Sequence, residues 1–89
     1  MSQRWSTIFK ALGNINRLQI VAILSERPNL NVSQLAKELK ISIKSTSKHL
    51  AMLRSLGVLE YVGRHGHVFY SISPTVPHDI HMAIRLFIR

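Results

Sequence analysis

Across residues 32–56 apolar side chains recur every three to four positions, pause for three residues and begin again, the pattern of two short helices joined by a tight turn. In the first segment Val32, Leu35, Ala36 and Leu39 stand at i, i+3, i+4 and i+7, with Gln34, Lys37 and Glu38 off the stripe. Asn31 is placed to cap it. Lys40, Ile41 and Ser42 then form the connection, and Ser42 can accept from the first free amides of the next helix. There Thr46, Leu50 and Leu53 point inward, while Lys44, Ser45, Ser47 and Lys48 stay outside and Gly57 stops the helix. Two helices across so short a turn make a helix-turn-helix, whose second member, over 43–56, has the size of a DNA major groove. Its cations and hydroxyls are the groups that reach phosphates and base edges. A merely solvated helix face has the same composition, so the pattern alone leaves both readings open.

After Gly57 the period drops to two. Residues 58–62 and 68–72 are short runs rich in Val, Tyr and Phe, and Gly63, Arg64, His65, Gly66 and His67 between them read as a glycine-containing hairpin tip. A recognition helix followed directly by such a hairpin is a winged helix. Arg64 and the two histidines would stand at the wing tip, where a cation can reach a phosphate or the minor groove.

Ahead of this region, residues 2–12 carry Trp5, Ile8, Phe9 and Leu12 on one helical stripe. Gly13 and Asn14 break the pattern. Residues 15–25 resume it with apolar side chains nearly all round, as in a helix buried on most sides, and Arg27-Pro28 ends it because the residue before proline is pushed out of the helical region. Beyond Pro74 and Pro77, residues 78–89 read as a last helix with Ile80, Ile84, Phe87 and Ile88 on one flank. The predicted fold is therefore mainly α with a small β-hairpin, a winged helix-turn-helix in the order α-α-α-α-β-β-α. It forms one domain over residues 1–89.

With 89 residues the chain builds one modest core, for which a hydrophobic fraction of 46% is ample. Twelve Lys and Arg against four Asp and Glu give a formal charge of +8, which favours a polyanionic partner. The absence of cysteine excludes a disulfide framework, a thiolate metal site and a Cys nucleophile. No apolar run approaches the ~18 residues that span a bilayer, and no signal peptide is evident, so a cytoplasmic protein without membrane association is expected. An enzyme is not indicated: no nucleophile with an adjacent base, paired carboxylates or phosphate-cradling glycine loop is present.

Taken together, the order of elements and several local strings resemble the ArsR family of winged-helix transcriptional repressors. The strings are Ala11-Leu12-Gly13-Asn14 with Arg17-Leu18, Val32-Ser33-Gln34-Leu35-Ala36, Ser42 with Ser47-Lys48-His49-Leu50, Leu53-Arg54, Gly57-Val58-Leu59 and Phe69-Tyr70-Ser71-Ile72. The resemblance covers almost the whole chain. It implies a homodimer built from the first and last helices that grips a pseudo-palindromic operator in double-stranded DNA, one recognition helix per half-site, as a repressor. Trp5, Ile8, Phe9, Ile84, Phe87 and Ile88 exceed what one small core can cover and are the expected interface. Lys44, Ser45, Ser47 and Lys48 are expected to face the groove, Arg64 and His65 to contact DNA from the wing, and Lys37, Lys40 and Arg54 to touch or flank phosphates. His49 reads as a half-buried hydrogen-bonding residue.

Three departures from the family's pattern carry weight. Asn31 and Ser33 stand where members often have a metal-sensing Cys-x-Cys pair, and Lys40 stands where the turn usually has glycine. Asp79-Ile80-His81 matches the opening of a second family metal motif that requires two further ligands about a dozen residues later. His78, Asp79 and His81 are thus weak metal candidates that would matter only if the native chain extends past Arg89, and no cofactor is expected. The rival reading is a winged helix used as a protein-interaction module.

Overall fold

Asn14 separates the first two helices by capping the second: its side-chain Oδ1 accepts from the backbone N–H groups of Asn16 at 2.9 Å and Arg17 at 3.3 Å. The computed structural model describes residues 3–74, apart from the side chains of Arg4 and Trp5, together with Met82 and Leu86. Helix α1 spans Gln3–Leu12 and α2 Ile15–Glu26; α3 spans Val32–Leu39 and α4 Ile43–Ser55; strands β1 and β2 cover Leu59–Arg64 and His67–Ile72. This is the expected winged helix-turn-helix.

Helix α2 is the central beam: it packs against α1, α3, α4 and β2. Its Ile20, Val21 and Leu24 are buried with Ile8 of α1, Leu35 of α3, Leu50 and Leu53 of α4, and Val58 and Leu59 at the root of the wing. Ile8 is only 2% exposed. Expected at a subunit interface, it is instead spent on the chain's own core, because it falls on the α1 flank that meets α2; Phe9, next to it, stays 45% exposed. Thr46, 0% exposed, escapes the penalty of a buried hydroxyl by donating to the Ser42 carbonyl at 2.8 Å.

The helix-turn-helix is set by matched caps. Asn31 accepts from the Gln34 N–H at 2.8 Å while the Gln34 side chain accepts from the Asn31 N–H at 2.8 Å, a reciprocal box that starts α3. At the far end Ile41 N–H reaches Ala36 O and Lys40 N–H reaches Lys37 O, which requires Lys40 to adopt a left-handed backbone with φ 58° and ψ 41°. Helix α4 ends with the same pair of bonds, Val58 N–H to Leu53 O and Gly57 N–H to Arg54 O, with Gly57 at φ 77° in the position that Lys40 fills after α3. One of the two left-handed positions is thus held by glycine and the other by a lysine.

In the wing, Leu59 pairs with Ile72 at the root and Arg64 with His67 at the end, in an antiparallel ladder. The expected five-residue tip is therefore only two residues, His65 and Gly66. Both have positive φ, 51° and 78°, as a turn that matches the strand twist requires, and Gly63 sits in the strand. A feature absent from the sequence reading is Leu30, which bridges the free edge of β2 through reciprocal bonds with Tyr70. A single pairing residue leaves no periodicity to detect. Of the expected last helix, Met82 and Leu86 are helical and exposed; Ile84, Phe87 and Ile88, with His78, Asp79 and His81, lie outside the described residues, as does the Trp5 side chain.

Candidate nucleic-acid interface

The inward stripe Thr46, Leu50 and Leu53 fixes the roll of α4 about its axis, and the opposite face follows from the helical period. Lys44, Ser47 and Lys48 are exposed there. Ser45 is only half-buried from solvent, closer to the core-facing flank, with its backbone N–H capped by the Ser42 hydroxyl at 3.0 Å. No carboxylate occurs anywhere in α4. Glu38 on α3 is held by Arg27 at 2.8 Å, which keeps its carboxyl below the usual range through that hydrogen bond and its charge, and so one of the few acidic groups is already paired. Lys37 and Lys40 are exposed on α3 and the turn, extending the cationic surface.

At the other end of α4, Arg54 places its guanidinium 4.4 Å from the centroid of the Tyr61 ring on β1, and Tyr61 lies 6.1 Å from its cross-strand partner Tyr70. Arg54, expected beside the phosphates, thus also bridges the helix to the wing. Arg64 and His65 are exposed at the tip with Asn29, Val62 and Phe69 around an open cleft of about 290 Å³. His49 is half-buried. Its Nδ1 lies 3.4 Å from Nη1 of Arg17, whose Nε donates to the Ala11 carbonyl at 2.6 Å, so Arg17 ties the end of α1 and the start of α2 to α4. Burial first, and the Arg17 charge second, hold His49 below its ordinary pKa of 6.5. The neutral ring that can accept from Arg17 is the favoured form.

Among the described residues no group of three or more His, Cys, Asp or Glu could hold a metal, and no helix is long and apolar enough to cross a membrane. The sequence reading missed Ile43, the first residue of α4, which is 52% exposed. By spacing it extends the apolar stripe of Thr46, Leu50 and Leu53, so periodicity alone would assign it to the core. Side chains in the first turn lean past the helix end, where the core has stopped.

The arrangement of a capped helix pair, a cationic face without carboxylates and a two-stranded wing has counterparts among known proteins. Residues 14–61 match the model of the bacterial regulatory protein, arsR family. The chain belongs to that family. It is 40% identical over 70 residues to the arsenical resistance operon repressor of Escherichia coli K12, an alignment covering 79% of this chain and 60% of that protein. It is 37% identical over 68 residues to the transcriptional activator HlyU of Vibrio cholerae, covering 76% of this chain and 62% of that one. The solved HlyU structure superposes with a TM-score of 0.84 at 31% identity, over 98% of this chain and 94% of that chain. A homodimeric winged helix-turn-helix DNA-binding domain from Mycobacterium bovis superposes with a TM-score of 0.80 at 25% identity, over 94% and 74% of the two chains. The chain thus spans about three-fifths of the length of the two curated relatives.

Proposed function

We propose that this arsR-family chain is a sequence-specific DNA-binding transcriptional regulator that acts as a homodimer on a pseudo-palindromic operator and represses by occupying it. The observation that carries the reading is the exposed face of α4, where Lys44, Ser47 and Lys48 stand on a helix that contains no carboxylate and whose roll is set by its buried stripe. The lysines supply phosphate contacts and the released counterions, Ser47 and the more recessed Ser45 meet base edges, and Arg64 and His65 reach the backbone or minor groove from the wing. Lys37 and Lys40 flank the phosphates. Arg54, over the ring of Tyr61, links the wing to the helix it accompanies. The homodimeric Mycobacterium bovis neighbour supports two-fold assembly, in which the two α4 helices enter successive major grooves about 34 Å apart.

Titration of random-sequence duplex over a salt series tests this. The wild-type chain should bind with a steep salt dependence, and Lys44→Ala and Lys48→Ala, each removing one cation from both subunits of the dimer, should weaken binding and lower the slope of log K against log salt by roughly 1.8. Wild-type affinity and slope in both variants would displace the contact surface from α4. Absence of salt-sensitive duplex binding in the wild-type chain would favour a protein-interaction module instead.

A further inference from the structure

Ile43 stands where the core has already ended. It is the first residue of α4, capped by Ser42, and 52% of its surface meets solvent. Among the described residues it is the single large apolar side chain exposed in the N-terminal half of that helix, and Lys40 and Lys44 flank it in sequence. Ser47, one turn on, is exposed as well, so Ile43 stands at the border between the buried stripe and the outward face. The core-facing stripe is complete without it, since Thr46, Leu50 and Leu53 are each fully buried. A β-branched residue is not favoured in the first turn by propensity, and half-exposed isoleucine leaves much of its possible burial unused.

We infer that Ile43 is a specificity-determining residue that reads the C5-methyl group of thymine at one position in each operator half-site; the inference rests on the DNA-binding reading above. The chemistry of the major groove narrows the choice. Purine edges and the cytosine amino group present donors and acceptors that an aliphatic side chain would desolvate without replacing a hydrogen bond, whereas thymine alone presents a methyl group there. The first residues of a recognition helix are those that reach base edges. Lysines on either side bring the duplex close through its phosphates and carry no preference among sequences, which leaves the apolar contact free to supply one.

The test uses the full chain and its Ile43→Ala variant. Duplexes are selected from a random library with the wild-type chain, and each thymine of the selected half-site is then replaced in turn by deoxyuridine, which removes only the methyl group. One thymine per half-site should prove sensitive, with wild-type binding weakened about four-fold for each methyl lost, the equivalent of one buried CH₂. The Ile43→Ala variant should bind the thymine and deoxyuridine duplexes equally, while keeping the wild-type salt slope because no cation has been removed. If no thymine is sensitive, or the variant loses affinity for deoxyuridine as the wild type does, the inference is overturned while DNA binding stands. If neither protein binds duplex in a salt-sensitive way, both readings fall together.

Discussion

Lys40 holds a left-handed backbone at φ 58° that glycine adopts at no steric cost, and the equivalent cap after α4 uses Gly57. A left-handed L-residue costs on the order of 1–2 kcal/mol, offset in part by the greater entropy a glycine would bring to the unfolded chain. Lys40→Gly should therefore stabilise the fold by about 0.5–1 kcal/mol, raising the thermal midpoint by a few degrees, while weakening duplex binding through the lost cation. Thermal unfolding and a salt titration of the same variant separate the two effects. An unchanged or lowered midpoint would mean that the turn is not strained at Lys40. Retention of lysine at such a position is what an added phosphate contact would explain.

At the scale of elements, Arg17 of α2 and His49 of α4 meet at 3.4 Å beside the packed core, and protonation of His49 works against that contact. Burial and Arg17 depress its pKa below 6.5, so the folded chain binds this proton less readily than the unfolded chain does. The contribution to stability is complete above 6.5 and is lost as the pH falls from there through the depressed folded value. Urea midpoints measured at pH 7.5 and again below 6 should show a loss in the wild type that His49→Gln reduces, since glutamine can accept from Arg17 and does not titrate. Equal losses in both proteins would place the sensitive group elsewhere. The Glu38–Arg27 pair has the same sign at lower pH, with its support lost as Glu38 protonates, and it is exposed on both sides. Between α4 and the wing the corresponding link is Arg54, whose guanidinium lies over the Tyr61 ring.

For the whole molecule, the proposed operator geometry requires two copies. Phe9 on α1, and Met82 and Leu86 beyond the wing, remain between 45% and 63% exposed, apolar area that a second subunit could cover. Sedimentation or sizing over a dilution series should show a two-chain species that dissociates as concentration falls, and a duplex with one half-site should bind far more weakly than one with two. A chain that remains monomeric throughout the range in which it binds duplex would remove the two-fold arrangement, and the pseudo-palindromic operator with it. The charge distribution acts at this scale as well: with +8 formal charge and carboxylates absent from α4, the proposed binding would begin as an encounter with any duplex before a particular one is recognised.

The order of helices and strands, both caps of the helix-turn-helix and the outward lysines of α4 were legible in the sequence because each depends on neighbours within about seven positions: a helical period, a cap three residues from its amide, an alternation of two. What the sequence left undecided depends on contacts between distant segments. Ile8 and Phe9 are adjacent apolar residues on one helix, and only the position of α2 determines that the first is core and the second surface. Ile43 continues an inward stripe by spacing and is exposed because the core ends before the helix does. Leu30 pairs with Tyr70, Arg17 with His49 and Arg54 with Tyr61 across separations that no local pattern spans. Local periodicity fixes which face of an element is apolar; where the neighbouring elements stop decides which of those apolar groups are covered, and which remain for a partner.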